Sequence, residues 1–206
     1  MKTRVLISAI MCGMILSACA GHVEYVRPQG LEAASNVKMI EKPRDQVWAS
    51  SVPELGKRFF TINNLDKSSG LINVSYTGDP EQFVDCGIIK SFVKNARGER
   101  TYEFPGGKAQ QIYEIMANGQ LQFIDRRMSL EGRVNVIFEQ EGPSRTKVTV
   151  NTRYVLTRTQ TISTLDGRTA QMSDTTAFNS GGNATMGSTA VLLECCVPRI
   201  PRAVSA

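Results

Sequence analysis

Phe60-Thr61-Ile62-Asn63-Asn64-Leu65-Asp66-Lys67-Ser68-Ser69-Gly70-Leu71-Ile72-Asn73-Val74-Ser75-Tyr76 is the stretch on which the fold turns. Phe60 and Ile62 alternate with polar neighbours, Asp66 to Gly70 form a turn-prone run, and Ile72, Val74 and Tyr76 alternate after it. Two short alternating runs around such a break read as a β-hairpin with one buried face. That face needs a cover, and the residues just upstream supply one. Val47, Trp48, Val52, Leu55 and Phe59 recur at helical steps, with Pro43 suited to a first helical turn. Pro53 falls inside the pattern and predicts a kink or two short helices.

Working outward, Val37 to Ile40 reads as a short strand before the helix. Downstream, residues 80 to 107 hold a loop and then an ambiguous stretch from Ile88. The clearest period of two lies at Val134, Val136 and Phe138 and, after the turn Glu141-Gly142-Pro143-Ser144, at Val148, Val150, Tyr154 and Leu156. One apolar and one wet face predict an antiparallel sheet covered on a single side. Asp166-Gly167 predicts a further hairpin reaching Phe178, and Ser188 to Cys196 a short terminal helix before Pro198. The expected fold class is α+β: one domain over residues 37–196, an antiparallel β-sheet packed on one face by one or two helices, with residues 197–206 as a tail.

The order strand, helix, hairpin, meander and terminal helix resembles the helix-grip architecture of BamC-like bacterial lipoproteins. Val47-Trp48, the Phe60–Tyr76 hairpin and the Leu156–Phe178 hairpin carry that resemblance, which covers about Val37 to Phe178. It implies an envelope accessory module that binds other proteins and lacks catalytic residues, and it leaves open a part in envelope assembly. Helix-grip folds elsewhere enclose cavities. On that analogy Trp48, Phe60, Ile62, Val74, Tyr76 and Tyr154 line the core or a groove between helix and sheet, and carriage of a small apolar ligand there is the alternative function.

Residues 1–18 have the make-up of a secretory signal: Lys2 and Arg4, an apolar run from Val5 to Leu16, then small residues. Leu16-Ser17-Ala18-Cys19 resembles a bacterial lipobox, which implies a lipidated Cys19 as the first mature residue. Two or three acyl chains make a durable membrane anchor. Ala20 is not the aspartate that favours inner-membrane retention, so the expected location is the outer membrane, with the domain facing the periplasm. Residues 19–36, with Gly21, Pro28 and Gly30, read as a lipidated N-terminus and flexible tether. Losing Lys2 and Arg4 lowers the formal charge from +5 to +3, which weakens the case for a polyanion, and export removes nucleic acid as a partner. The expected partners are the membrane, through the anchor, and other envelope proteins.

The chain of 206 residues has one histidine, His22, so it cannot by itself form a Ser-His-Asp triad, a Cys-His pair or a multi-histidine zinc site. His22 reads as a solvated tether residue. Of the cysteines, Cys12 leaves with the signal, and Cys86, Cys195 and Cys196 face an oxidising compartment, so a disulfide from Cys86 to either Cys195 or Cys196 is expected. Their spacing does not suit a metal. Phe104-Pro105-Gly106-Gly107-Lys108-Ala109 lacks the upstream glycine and the Ser/Thr of a phosphate loop and reads as an ordinary loop. Glu131, Glu139 and Glu141 read as a solvated strand face. Arg126, Arg127, Arg133, Arg145, Lys147, Arg153 and Arg158 read likewise as a mixed, solvated surface. The expectation is a non-enzymatic protein with no cofactor or metal, its only added group the lipid on Cys19.

Overall fold

The computed structural model describes residues 20–29, 35–58, 60–187 and 194–199. In chain order its elements are β1 (Ala20–Val26), β2 (Val37–Ile40), α1 (Arg44–Lys57), β3 (Thr61–Asp66), β4 (Leu71–Gly78), α2 (Pro80–Phe83), β5 (Val84–Asp85) and β6 (Ile88–Asn95). There follow β7 (Gly98–Pro105), β8 (Gln110–Ala117), β9 (Gln120–Gln140), β10 (Thr146–Thr164), β11 (Thr169–Asn179), β12 (Ala184–Met186) and β13 (Glu194–Pro198).

The long hairpin β9–β10 is the spine, paired without a break from Thr146↔Gln140 to Thr164↔Gln122. Each of its outer edges is shared by two strands. Along β9, β4 covers Leu130 to Ile137 and β8 covers Gln120 to Arg127. Along β10, β2 covers Thr146 to Thr149 and β11 covers Arg153 to Ser163. A second sheet runs β1-β6-β7, and a small third one β12-β13-β5. All pairings are antiparallel, and the hairpins expected at residues 60–77, 133–156 and 156–178 are present.

The α+β, helix-grip-like expectation is wrong. The protein is mostly β, 65% strand against 11% helix. The stretch from Ile88 to about Gly107, ambiguous in sequence, supplies β6 and β7, with Ile89, Ser91 and Val93 alternating inward. The expected terminal helix gives way to β13 over residues 194–198, where ladder bonds to β12 and β5 set the backbone. Residues 188–193 of that expected helix lie outside the described residues. The tether expectation also fails over Ala20–Val26. These side chains are mostly exposed, but the edge of β6 offers hydrogen-bond partners and draws the segment into a strand. Helix α1 is a single element despite Pro53.

Three cores line β9–β10, one of them formed by Ile89, Phe104, Tyr113 and Ile124. Under α1, Ile72, Val74, Val134, Val136 and Phe138 pack with Val47, Trp48, Val52 and Leu55. Toward the other end, Met128, Leu130, Tyr154, Leu156 and Phe178 pack with Cys86, Cys196 and Met186. Gly132 marks the seam between these two. The Tyr76 ring lies across it, and a Cβ there would stand 2.2 Å from that ring. Tyr76 accordingly packs on both cores.

Candidate functional site

Even-numbered residues of β9 and β10 point inward, so Arg126 and Arg158 fall among Ile124, Met128, Leu130, Leu156 and Gln160. Both arginines are 0% exposed. The expectation of a mixed, solvated surface therefore fails at these two positions. What makes their burial tolerable is Glu194, 1% exposed, at the start of β13. Arg126 Nη2 donates to Glu194 Oε2 at 2.7 Å and to the Gly106 carbonyl at 2.5 Å. Arg158 donates through Nη1 to Glu194 Oε1 at 2.6 Å and through Nη2 to Asp174 Oδ2 at 2.6 Å. The buried carboxylate thus bridges two guanidinium groups, while the half-exposed Asp174 pairs with the second. Burial acts to lower the Arg158 pKa, but Glu194 and Asp174 outweigh it and hold the group above its ordinary value. Nε and Nη1 of Arg126 have no hydrogen-bond partner among the described residues.

A disulfide between Cys86 and Cys196 closes this region, 110 residues apart in sequence. It fastens β13 beside β5 and so fixes where Glu194 enters the core. Among the described residues Cys195 is the free cysteine. Its backbone is held from the other side by Tyr25 of β1, whose hydroxyl donates to the Cys195 carbonyl at 2.9 Å and accepts from the Cys195 N–H at 2.7 Å. Burial pushes the Tyr25 phenol up to about 12. The Glu194 carboxylate has both oxygens bound and almost no exposure. Its work here is to order the C-terminal strand.

Residues 104–109 belong to this assembly. Gly106 N donates to the Gly87 carbonyl at 2.7 Å while its own carbonyl receives Arg126. Glu131 and Glu139 do not form a pair of acids. Glu131 binds Arg133 at 2.7 Å and Glu139 binds Lys147 at 3.0 Å, both on the outer face. Eight residues of strand separate them, about 27 Å.

Of the six residues read as core- or groove-lining, Trp48, Phe60, Val74 and Tyr76 pack in one cluster, and Tyr76 also packs on the cluster that holds Tyr154. Val74 is buried, Trp48 packs edge-on against Phe138 at 5.5 Å, and Phe60 meets Tyr76 edge-on at 5.6 Å. Tyr154 lies across the seam, stacked on Phe178, and Ile62 is exposed. At the helix–sheet interface Trp48, Val52 and Leu55 of α1 pack against the cluster of Val74, Val134, Val136 and Phe138. Cys19 lies outside the described residues, and His22 is on β1, 5.5 Å from the Phe92 ring. Among the described residues no group of three or more His, Cys, Asp or Glu could hold a metal ion.

Sequence reasoning missed Glu194 and the strand β1. It also missed an open apolar cavity of about 430 Å³ where three hairpin turns meet, lined by residues such as Met116, Leu121 and Leu165. Comparison of the chain with protein-family models, with curated proteins and with solved structures returns no match.

Proposed function

We propose that this chain is a lipid-anchored protein of the bacterial outer membrane, facing the periplasm, and that it works there as a non-enzymatic protein-interaction module. The observation that carries the reading is the outer edge of β11, which has no strand beside it among the described residues. This strand is outermost in its sheet and runs eleven residues, Thr169 to Asn179, with no Lys, no Pro and no bulge in its pairing. Its one charge, Asp174, is turned inward to Arg158. Natural sheets usually blunt such edges because the unpaired backbone groups template a further strand. Two of the other outermost strands, β3 and β7, follow that rule, whereas β1, seven residues with Glu24 as its one charge, is short but otherwise unguarded. β3 has six residues and a register break between Ile62 and Asn64, and β7 carries Glu99, Arg100 and Glu103 and ends at Pro105. An extended segment of a partner adding to β11 gains main-chain hydrogen bonds along its length.

The Cys86–Cys196 disulfide supports an oxidising compartment, and the lipobox-like Leu16–Cys19 supports an anchor. Kinship with BamC-like proteins is no part of the proposal, because the helix-grip fold it implies is absent.

Photo-crosslinking side chains placed at Gln171 and Thr175 test the edge, with Asn64 on β3 and Glu99 on β7 as controls. Discrete adducts with envelope proteins are expected at the β11 positions alone and are suppressed by Thr176→Lys. Equal crosslinking at all four positions, or none, overturns the reading. Labelled-palmitate incorporation that persists in Cys19→Ala would sink the anchor.

A further inference from the structure

The open cavity lies where the β6–β7, β8–β9 and β10–β11 turns come together. Asn95, Ala96, Arg97, Met116, Leu121 and Leu165 are among the residues that line it. Its surface is mostly apolar, and Leu165, at the tip of the β10–β11 turn, is 63% exposed. Large apolar side chains on a hairpin tip gain nothing in water. A concave apolar site of this size is of the kind that takes a small ligand. At its lip stands Arg97, whose guanidinium has no ion pair among the described residues. The neighbouring Lys94 and Arg168 are already matched by Glu99 and Asp166.

The location of β1 says what covers this end. Ala20 pairs with Lys94, so the chain enters the domain beside the turn that carries Arg97. Gly21 lies tight on Met116, a lining residue, and a Cβ there would stand 2.7 Å from it. One peptide bond, about 3.8 Å between Cα atoms, separates Ala20 from the expected lipidated cysteine. A lipid attached at Cys19, one residue before Ala20, would therefore emerge next to the cavity.

From this placement we infer that the three-turn end rests on the membrane, and that its cavity takes an acyl chain of an anionic phospholipid in the leaflet holding the anchor, with Arg97 on the phosphate. The inference rests on the lipid-anchor reading above. It orients the molecule: α1 points away from the lipid, and the open edge of β11, which begins at Thr169 just past the third turn, starts close to the membrane surface.

Trp48 is the single tryptophan and packs against Phe138 near the far end of β9, so it serves as an internal control. The mature chain is purified from membranes, its N-terminal peptide is weighed for lipid, and it is reconstituted into vesicles of phosphatidylcholine and phosphatidylglycerol brominated on the acyl chains. In Trp48→Phe carrying Leu165→Trp, emission should fall at least about twofold on contact with the brominated chains, while Trp48 in the unaltered protein stays unquenched. Arg97→Glu should bring the quenching in phosphatidylglycerol vesicles down to the level seen with phosphatidylcholine alone. Lipidated protein in which Leu165→Trp is as insensitive to bromine as Trp48 overturns the inference and leaves the anchor reading intact. Equal quenching by the two lipids overturns the role of Arg97. Should the peptide carry no lipid, the anchor reading falls by itself, and the same vesicles still decide: quenching supports docking, and its absence removes it.

Discussion

From Gly132 toward Gln140 the inward positions of β9 are Val134, Val136 and Phe138, and α1 lies over them. From Leu130 back toward Arg126 the same parity holds Leu130, Met128 and Arg126, and part of the cover is the short strand β13, held by a disulfide. Beyond them Ile124 passes into a third core with Ile89, Phe104 and Tyr113. The first region is closed by contact among apolar groups, each fully buried side chain contributing about 1.5–3 kcal/mol without regard to direction. The second is closed by directed contacts. Its two guanidinium groups are tolerable only while Glu194 meets both, and Glu194 is delivered from a segment remote in sequence. An apolar core degrades gradually as groups are trimmed. A buried ionic bridge is either complete or costly.

The largest effect that separates the regions should come from the disulfide. Cys86→Ala with Cys196→Ala releases a loop of 110 residues, and chain entropy assigns such a closure about 4–5 kcal/mol. Urea unfolding checks it through two reporters, Trp48 emission for the helix-covered region and reactivity of the free Cys195 thiol for the other. The thiol transition should move to lower urea than the Trp48 transition. Coincident transitions in the variant would mean that the molecule unfolds as one unit and that the division has no energetic content.

A somewhat smaller effect isolates the ionic bridge. Glu194→Gln leaves two buried positive charges without their shared partner and should cost about 3–5 kcal/mol. Ile72→Val, in the apolar region, should cost only about 0.5–1.5 kcal/mol. The sharper test removes all three charges together. Arg126→Met, Arg158→Met and Glu194→Leu in one chain should recover the loss and exceed the original stability by about 1–4 kcal/mol, because desolvation of the ions ends. The unpartnered Nε and Nη1 of Arg126 favour that outcome. A triple variant as unstable as Glu194→Gln would show that the bridge contributes net stability.

The helix-covered region was legible in the sequence because its signals are local. Val47 to Leu55 keep a helical period, Asp66 to Gly70 make a turn, and Val134 to Phe138 alternate without a charge on the inward parity. The second region broke the rule on which that reading depends, that charged residues point out. A count along β9 running Leu130, Met128, Arg126, Ile124 places an arginine on the apolar face, and Leu156, Arg158, Gln160 do the same on β10. That signal was available and went unused. Glu194 had no comparable signal, since its meaning depends on a disulfide partner 110 residues from Cys196. Strand β1 was hidden for another reason: its backbone pairing with β6 sets it, and its side chains carry almost no burial pattern. The tip cavity is built from three turns distant in sequence, so no single window showed it. A resemblance built on the legible half then extended its single helix-covered sheet to the whole chain.

The smallest effects should appear at opposite ends of the pH scale, one for each region. In the helix-covered region the Asp66 carboxylate accepts the Ser68 hydroxyl at 2.6 Å and the backbone N–H groups of Ser68 and Ser69, and these bonds hold its pKa down at about 2, against an ordinary 3.8. A depressed carboxylate pKa contributes stability that is present above the ordinary value and lost as pH falls toward the folded one, so the window is about pH 4 to 2. In the other region the Tyr25 phenol, which ties β1 to β13, is raised from 10 to about 12 by burial. Its contribution is complete below pH 10 and lost as pH rises to about 12. Urea midpoints of Asp66→Asn and Tyr25→Phe, each subtracted from the unaltered protein across pH, check this. The first difference should shrink only at the acid end, and the second only at the alkaline end. Other lowered carboxylates, Asp125 and Asp166 among them, also titrate in acid, which is why the difference between variant and parent, and not the raw profile, carries the argument. Should Tyr25→Phe leave the alkaline limb unchanged, the phenol does not secure β13, and the clamp on the C-terminal strand reduces to the disulfide and the glutamate.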